Sequence, residues 1–347
     1  MLNVGIIGTG FGAKVHIPAF KKIKNIKVNG IWGKDLSETK RLQDKFDIPN
    51  VFENWRNLVM SPKIDIISIA TPPFLHKDII LAAAENKKPI ICEKPFTLNA
   101  TQANTALKAA EKAKIIHAVD FEFRYISHFQ ELKKLIHNGK IGTIKYCKIS
   151  WITGGRAREN FPLNWMNYQK LGGGVLLNYG SHIIDYLGWL FGDIKYVSGN
   201  LKILKKQNVS SKTPDAEDYC EFLSIFKSGI LAETVISNVL FGGEGHNIEI
   251  YGNRGTLKLI NNNLFDPIKG FRLILINENN ISKTLINEFK SKNTDGRIDA
   301  FSKLATDFIR RVKKQKNEVP TFIDGLRVHK IMRAIQKSQK LKKWVTV

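Results

Sequence analysis

Short apolar runs alternate with helical periods through the first third of this 347-residue chain, and this pattern most constrains its fold. Strands are predicted over residues 2–8, 27–32, 64–70, 89–92 and 115–119. Helices are predicted over residues 13–22, 37–46, 77–86 and 99–113. Such alternation is typical of a parallel sheet that helices cover on both faces. Ligands are then expected at the carboxyl ends of the strands.

The pattern changes after about residue 120. A predicted helix over 127–138 leads into a long strand over 143–153, and alternating strands with short connections follow from 194 to 288. We therefore predict an α/β protein with an N-terminal Rossmann doubly wound parallel sheet plus a C-terminal α/β domain with a predominantly antiparallel open-faced sheet. The length favours two domains, which we assign to residues 1–120 and 121–347.

The formal charge of +23 raises the question of a nucleic-acid or membrane partner. The lysines are dispersed in short doublets without a nucleic-acid-binding motif, and no apolar stretch reaches the roughly 18 residues of a membrane span. The three cysteines form no disulfide or metal pattern, and the first residues run directly into a strand. We predict a cytoplasmic protein with no metal, no nucleic acid and no membrane partner. The charge is compatible with an anionic substrate or cofactor.

The glycine turn Gly8-Thr9-Gly10-Phe11-Gly12-Ala13 lies between the first strand and the first helix, with the GxGxxA spacing of a dinucleotide fingerprint. Gly8 permits the tight turn, Gly10 lets backbone amides approach a pyrophosphate, and Ala13 allows the helix to pack closely on the strand. The helix N-terminus favours the negative charge. The predicted cofactor contacts of this turn are Gly8, Thr9, Gly10, Phe11 and Gly12.

The end of the second strand bears on the choice between NAD and NADP. It reads Trp32-Gly33-Lys34-Asp35, where a carboxylate usually binds the ribose 2′-hydroxyl of NAD. Because glycine stands at the usual carboxylate position, Lys34 is predicted to bind the 2′-phosphate of NADP. If the strand ends later, Asp35 becomes the ribose ligand and NAD the cofactor. Asp35 with Glu38 also fits a capping box of the second helix. The predicted cofactor is NADP or NAD, with NADP favoured.

Two further loops follow predicted strands at the same edge of the sheet. Thr71-Pro72-Pro73 stops one strand and stiffens a loop in which Thr71 and Pro72 are predicted to line the cofactor. His76 opens the next helix, either as a cofactor contact or as a packing histidine. Glu93-Lys94-Pro95 ends an apolar run, where the Lys94 ammonium can meet both a cofactor and a substrate hydroxyl. Glu93 and Lys94 are therefore included among the predicted cofactor-binding residues.

In their order and spacing, the motifs closely resemble those of the Gfo/Idh/MocA oxidoreductases. The resemblance runs nearly the full length and rests on the GxGxxA turn, Thr71-Pro72-Pro73 with His76, Glu93-Lys94-Pro95, Gly172-Gly173-Gly174 and Gly180-Ser181-His182-Ile183-Ile184-Asp185. It implies a Rossmann dinucleotide-binding domain followed by a substrate-binding and oligomerisation domain, and hence a homo-oligomer, either a dimer or a tetramer. It also implies reversible NAD(P)-dependent oxidation of hydroxyls on sugars, inositols and nucleotide sugars.

The same resemblance implies roles for individual residues. Lys94 and His182 are the implied catalytic residues, since the Lys94 charge stabilises a developing alkoxide and the His182 imidazole accepts the hydroxyl proton. Asp185, one helical turn later, either orients His182 or bonds backbone and solvent. The predicted substrate-binding residues are Arg124, Trp165, Asn178 and Asp185.

Asn178 departs from the family pattern, because many members carry aspartate four residues before the histidine. Asparagine can orient a hydroxyl but cannot take a proton. The predicted function is an NAD(P)-dependent oxidoreductase that transfers hydride between the nicotinamide and a secondary hydroxyl or ketone of a sugar, polyol or nucleotide sugar. The alternative is a non-catalytic NAD(P)-sensing regulator on the same scaffold.

Overall fold

The computed structural model describes residues 1–159, 161–205, 213–289 and 291–347. Its internal contacts separate the chain into two units, the first made of Met1–Glu122 with Asn293–Arg327 and the second of Phe123–Lys292 with Val328–Val347. The predicted division at residue 120 lies close to the end of the first segment. Residues 293–327, which we expected in the second domain, pack with the first unit instead. Within the described ranges, every helix is too short or too polar to cross a bilayer.

The first unit contains a six-stranded sheet whose strands are all parallel. Its order is β3-β2-β1-β4-β5-β6, so the direction of winding reverses between β1 and β4. This is the strand order of a Rossmann sheet, and it confirms the predicted fold. The strands are β1 (Leu2–Ile7), β2 (Ile26–Trp32), β3 (Asn50–Val51), β4 (Ile66–Ile69), β5 (Ile90–Cys92) and β6 (His117–Val119).

Helices connect these strands, as the apolar periodicity predicts. The connection after β1 begins as a π turn over Gly12–His16 and continues as a short α-helix. All four residues of β4 and all three of β5 are buried, as expected for strands that helices cover on both faces. The helices are α1 (Ile17–Phe20), α2 (Leu36–Phe46), α3 (Trp55–Met60), α4 (His76–Glu85) and α5 (Ala100–Lys112).

The second unit contains a nine-stranded sheet in the order β14-β13-β12-β11-β7-β10-β9-β8-β15. Every neighbouring pair is antiparallel except β7 and β10, which are parallel. The strands are β7 (Ile144–Ile152), β8 (Ile194–Lys202), β9 (Tyr219–Phe226), β10 (Leu231–Ser237), β11 (Gly245–Gly252), β12 (Gly255–Asn261), β13 (Arg272–Asn277), β14 (Ser282–Ile286) and β15 (Val345–Thr346).

One face of this sheet is apolar and the other carries polar and aromatic side chains, since burial alternates along its central strands. On the open face the Tyr146 hydroxyl donates to Glu233 Oε2 (2.6 Å) and the Tyr251 hydroxyl donates to Glu249 Oε2 (2.6 Å). Lys258 pairs with the same Glu249 carboxylate at 2.7 Å. The alternation of buried and exposed residues along these strands therefore confirms the predicted sheet, which is mostly antiparallel and has one open face.

Among the described residues, five further α-helices follow β6. The most buried of them in the second unit begins at Gly180, and nine of its twelve residues are buried. Among those nine, the side chains that can exchange protons or donate hydrogen bonds include Ser181, His182 and Asp185. The helices are α6 (Ser127–His137), α7 (Val175–Asn178), α8 (Gly180–Phe191), α9 (Arg297–Val312) and α10 (Phe322–Leu341).

The half-buried histidine of the edge strand β6 makes the stability of the first unit depend on pH. His117 Nδ1 accepts the backbone N–H of Phe322 (3.1 Å), and its ring stacks on the Phe322 ring. Burial, with the nearby Arg311 charge, lowers the pKa of His117 from 6.5 to about 4. In the unfolded chain the imidazole is protonated below about pH 6.5, so unfolding takes up a proton between pH 6.5 and 4.

We expect the unfolding free energy to fall by on the order of 2 to 3 kcal/mol from this group as pH drops from 6.5 to 4. His117→Gln, whose side-chain oxygen can still accept the Phe322 N–H, should flatten this part of the profile. Urea unfolding at half-unit pH steps measures the slope, with the exposed His137→Gln as the matched control. An unchanged slope in His117→Gln would contradict the assignment.

Candidate functional site

The glycine turn after β1 leaves open space at one of its glycines and none at the others. A Cβ on Gly8, whose φ is +120°, would lie 2.3 Å from the Ala70 carbonyl oxygen, and one on Gly12 would lie 2.9 Å from Ile6 Cγ2. Nothing lies within 4 Å of a Cβ added to Gly10. Packing therefore requires Gly8 and Gly12, whereas Gly10 leaves its backbone accessible to a ligand.

The lysine loop begins where β5 ends at the carboxyl edge of the sheet. The Glu93 backbone N–H donates to the Ile69 carbonyl (2.9 Å), and the Lys94 N–H donates to the Glu93 carboxylate (3.2 Å). The peptide bond between Lys94 and Pro95 is cis. Lys94 is half-buried between the buried residues Glu93 and Pro95. Hydrogen bonds of Glu93 and Lys94 thus fix the backbone that carries the predicted catalytic ammonium.

A buried cluster of polar side chains lies directly behind this loop. The His16 ring contacts the Ser68 hydroxyl through Nδ1 (2.7 Å) and Glu93 Oε1 through Nε2 (2.9 Å). Asp120 Oδ2 lies 3.8 Å from the same Nε2. The Phe301 ring stacks on His16 at 3.9 Å, which is one reason that residues 293–327 belong to the first unit. The cluster joins the turn after β1 to the ends of β4, β5 and β6.

The charge of this cluster is centred on Glu93. Burial and the charges of Glu122 and Glu93 raise the pKa of Asp120 well above its usual value. Burial opposes ionisation of Glu93, but the hydrogen bond and charge of His16 outweigh it and lower the pKa of Glu93. Asp120 is therefore the protonated carboxyl group of the cluster, and neither of its oxygens makes a hydrogen bond with a described residue. One ring nitrogen of His16 and one carboxylate oxygen each of Glu93 and Asp120 lie within 4.8 Å of one another.

Sequence reasoning did not identify His16 and Asp120 as members of the site. Asp120 comes directly after β6, so the rule that ligands collect at the carboxyl ends of parallel strands could have found it. His16 ends the turn that follows the glycines, and its position alone gives no such signal. Its role depends on Glu93, which lies 77 residues later in the chain.

The Thr71 loop lies beside the lysine loop, and His76 joins the two. His76 Nε2 contacts the Thr71 carbonyl (2.8 Å) and Nδ1 contacts the Pro95 carbonyl (3.1 Å), with the ring fully buried. The predicted cofactor contact at His76 is thus a ring bonded to protein carbonyls. Thr71 Oγ1 is buried and has no hydrogen-bond partner among the described residues, and Pro72 is partly exposed beside it.

The tip of β2 contains the residues on which the two cofactor alternatives depend. The strand ends at Trp32, and a Cβ on Gly33 would lie 2.2 Å from Thr9 Cγ2, so no carboxylate fits there without displacing the glycine turn. Asp35 Oδ1 accepts the N–H groups of Ser37 (2.8 Å) and Glu38 (3.1 Å) and so caps α2. Lys34 is exposed, and its ammonium makes no hydrogen bond or ion pair with any described residue.

These features fit an anionic dinucleotide. Open space over Gly10 admits a close backbone approach, the Thr71 hydroxyl is a buried polar group that lacks a partner, and Lys34 is an exposed cation at the second strand. All three follow the carboxyl ends of β1, β4 and β2, where the sheet of this fold binds ligands. Phe11 adds an aromatic ring with the Arg297 guanidinium 4.7 Å from its centroid.

In the second unit, the predicted proton acceptor sits in an aromatic core. His182 is 3% exposed, with its ring centroid 4.6 Å from that of Phe123 and 6.2 Å from that of Trp151. One turn along α8, Asp185 forms a two-pronged ion pair with Arg124, whose Nε and Nη2 donate to the carboxylate at 2.8 and 2.5 Å. Arg124 and Asp185, two of the four residues predicted to bind substrate, therefore bind each other. Their contact with the substrate remains a prediction.

The three glycines before α7 shape the segment that leads to His182. Gly174 has a φ of +104°, and a Cβ on it would lie 2.2 Å from Glu217 Oε1. A Cβ on Gly173 would lie 2.5 Å from the Met166 carbonyl oxygen. Asn178 Nδ2 donates to the Gly174 carbonyl (2.8 Å), so this amide closes the turn. Trp165 begins a neighbouring 3₁₀ turn and is partly exposed.

Known proteins resemble this chain along its whole length. An uncharacterized oxidoreductase of Synechocystis, sll0816, is 29% identical over 358 aligned residues that cover 100% of this chain and 96% of the relative. Glucose-6-phosphate 3-dehydrogenase of Bacillus subtilis is 25% identical over 96% of this chain and 95% of its own. A solved structure of levoglucosan dehydrogenase in complex with NADH matches with a TM-score of 0.89 at 24% identity, over 100% of this chain and 99% of that one.

The glycine geometry predicts opposite effects for two alanine substitutions. Gly8→Ala should destabilise the protein by more than about 2 kcal/mol, because its Cβ meets a backbone carbonyl at positive φ. Gly10→Ala should leave the unfolding midpoint nearly unchanged and weaken dinucleotide binding at least about tenfold, because its methyl group occupies the space that the ligand approaches. Thermal unfolding and fluorescence titration with NADH and NADPH measure the two effects.

Gly155→Ala is the matched control, because its added Cβ also meets open space but lies far along the chain from the glycine turn. It should change neither stability nor dinucleotide affinity. Unchanged dinucleotide affinity in Gly10→Ala would count against the turn as the cofactor site.

Family profiles account for most of the chain. The profile described as oxidoreductase family, NAD-binding Rossmann fold, matches residues 2–121. The profile described as oxidoreductase family, C-terminal alpha/beta domain, matches residues 133–347. With the parallel sheet, the glycine turn and the lysine loop in place, the chain belongs to the Gfo/Idh/MocA family as an NAD-binding oxidoreductase.

Proposed function

We propose that this chain is an NADP(H)-dependent dehydrogenase that interconverts a secondary hydroxyl and a ketone on a sugar, polyol or nucleotide sugar. The observation that carries the proposal is Lys94, a half-buried ammonium whose backbone is held at the carboxyl edge of a Rossmann sheet by the buried Glu93 carboxylate. Related proteins support the substrate class, since one is named glucose-6-phosphate 3-dehydrogenase and another levoglucosan dehydrogenase.

In this proposal each residue has a defined task. The Lys94 ammonium stabilises the negative charge that develops on the substrate oxygen as its proton leaves. The His182 imidazole takes that proton during oxidation and returns it during reduction. The bound nicotinamide supplies the hydride-transfer chemistry. Glu93 and His16 act through Lys94 by fixing the loop that carries it.

The adenosine end of the cofactor is proposed to carry a 2′-phosphate. Gly33 leaves no room for the carboxylate that binds a ribose hydroxyl, and the Asp35 carboxylate already caps α2. The exposed Lys34 ammonium is then the group available to bind a phosphate at this point.

One observation favours a second function, a cofactor-sensing regulator. His182 is 3% exposed within an aromatic core, which resembles the setting of a packing histidine more than that of a proton-exchanging one. A regulator would bind dinucleotide tightly and transfer no hydride to any member of a broad polyol and nucleotide-sugar panel.

The lysine substitution tests the enzymatic proposal. With a substrate identified from such a panel, Lys94→Ala should lower kcat by more than about 10²- to 10³-fold, because the developing alkoxide loses its main charge partner. The dissociation constant for NADPH should change by only a few-fold. Absorbance at the nicotinamide band follows turnover, and fluorescence titration follows binding. The exposed Lys108→Ala is the control, and near wild-type turnover in Lys94→Ala would reject the mechanism.

The cofactor proposal has an independent test. The wild-type protein should bind NADP(H) at least about tenfold more tightly than NAD(H), and Lys34→Glu should reverse the preference by placing a carboxylate at the 2′ position. Isothermal titration with all four nucleotides measures this ratio, and Lys40→Glu on the exposed side of α2 is the matched charge control. Tighter binding of NAD(H) by the wild-type protein would refute the role of Lys34.

A further inference from the structure

A cavity lies in the second unit next to the segment that precedes α8. Its walls include Arg156, Phe161, Asn178, Tyr179, Glu217 and Asn238. The Tyr179 carbonyl accepts the backbone N–H of His182 (3.2 Å), so the cavity wall and the proposed proton acceptor belong to one continuous stretch of chain.

Arg156 places a cation in this cavity without a matching anion. Its guanidinium contacts Met166 Sδ (3.2 Å) and Asn167 Oδ1 (3.4 Å) and lies 5.1 Å from the centroid of the Phe161 ring. Among the described residues, no carboxylate forms an ion pair with it. Burial lowers the pKa of the Arg156 guanidinium, because part of its hydration is lost. An anion bound there would restore the lost stabilisation.

The acidic groups around the cavity are already engaged. The two Asp218 carboxylate oxygens accept the backbone N–H groups of Leu204 (2.7 Å) and Lys205 (2.9 Å). Glu217 accepts the Leu176 N–H (3.1 Å), and burial raises the pKa of Glu217 to about 7. At neutral pH Glu217 is therefore only partly charged. These carboxyl groups leave the Arg156 charge uncompensated.

The cavity also contains a hydrogen-bond acceptor that lacks a donor. Asn238 is 8% exposed, and its Oδ1 atom is buried with no hydrogen-bond partner among the described residues. Its backbone carbonyl accepts the Arg156 N–H (2.9 Å), which fixes the two residues against each other. A buried amide oxygen without a donor is costly, and a substrate hydroxyl would satisfy it. The cavity thus has two cationic residues in its walls, Arg156 and Lys205, together with the Asn238 Oδ1 acceptor, which suits a polyhydroxylated anion.

We propose that this cavity selects sugar substrates that carry an anionic substituent, a phosphate or a carboxylate, which Arg156 binds while Asn238 accepts a hydroxyl. Both groups present the paired oxygens that a planar guanidinium recognises. This inference rests on the proposed dehydrogenase function and specifies its substrate class. Arg156 is a specificity-determining residue in this arrangement, and the chemical step stays with Lys94 and His182.

The experiment measures binding and turnover for matched sugars in the presence of NADPH or NADP⁺. The probes are glucose, glucose 6-phosphate and glucuronate, with the corresponding galactose series, so the phosphate and carboxylate arms are read separately. In at least one series, the wild-type protein should bind an anionic member at least tenfold more tightly than the neutral sugar. Arg156→Gln should remove this preference, and Arg156→Lys should retain part of it. Arg158→Gln, an exposed neighbour, should behave as wild type.

Equal binding of neutral and anionic sugars, or an anion preference that survives in Arg156→Gln with its fold intact by circular dichroism, would overturn the inference. The binding arm is repeated in Lys94→Ala, which should keep the anion preference although its hydride transfer is strongly slowed. Turnover of neutral sugars without any anion preference would reject the inference and leave the proposed function standing. Anion-selective binding without hydride transfer in the wild-type protein would reject the proposed function.

Discussion

The buried hydrogen bond between His16 and Glu93 organises the first unit. It joins the turn after the first strand to the residue that precedes Lys94, while the other nitrogen of the ring contacts Ser68 on β4. A charged group in such a setting is stable only when its partners are in place, and removing one partner of a buried pair typically costs about 3 to 5 kcal/mol. The glycine turn and the lysine loop therefore cannot shift independently of each other. This coupling fixes the backbone position from which the half-buried Lys94 side chain extends.

In the second unit, a buried ion pair has a comparable role at helix α8. This helix is apolar on nearly all sides, so its polar side chains must find partners inside the protein. Asp185 finds Arg124, and the two-pronged pair fixes one turn of the helix while His182 on the preceding turn packs on Phe123. At the other end of this segment, Gly173 and Gly174 allow backbone and carboxylate atoms to approach where any side chain would collide.

The larger elements follow from patterns that a single sequence displays. The parallel strands appear as buried apolar runs and the second sheet as strict alternation, because the two sheets expose different numbers of faces to solvent. Shorter elements escape such reasoning, since the two-residue β3 and the six-residue α3 are too short to show a period. The packing of helix α9 in the first unit was not predicted, because a helical period indicates an apolar face without indicating what covers it.

The residues of the candidate site also fall into two groups, those that the sequence identifies and those that only the tertiary structure identifies. The amino-acid sequence by itself determined the glycine turn, the lysine at the end of a strand and the histidine of the last glycine-rich segment, because each depends on a local backbone requirement or a motif spacing. Only the tertiary structure decided that His16 and Asp120 stand behind Glu93, that Arg124 and Asp185 bind each other, and that Asp35 caps a helix beside the exposed Lys34. The physical reason is that burial and charge pairing join residues tens of positions apart, and these contacts decide which groups remain available to a ligand.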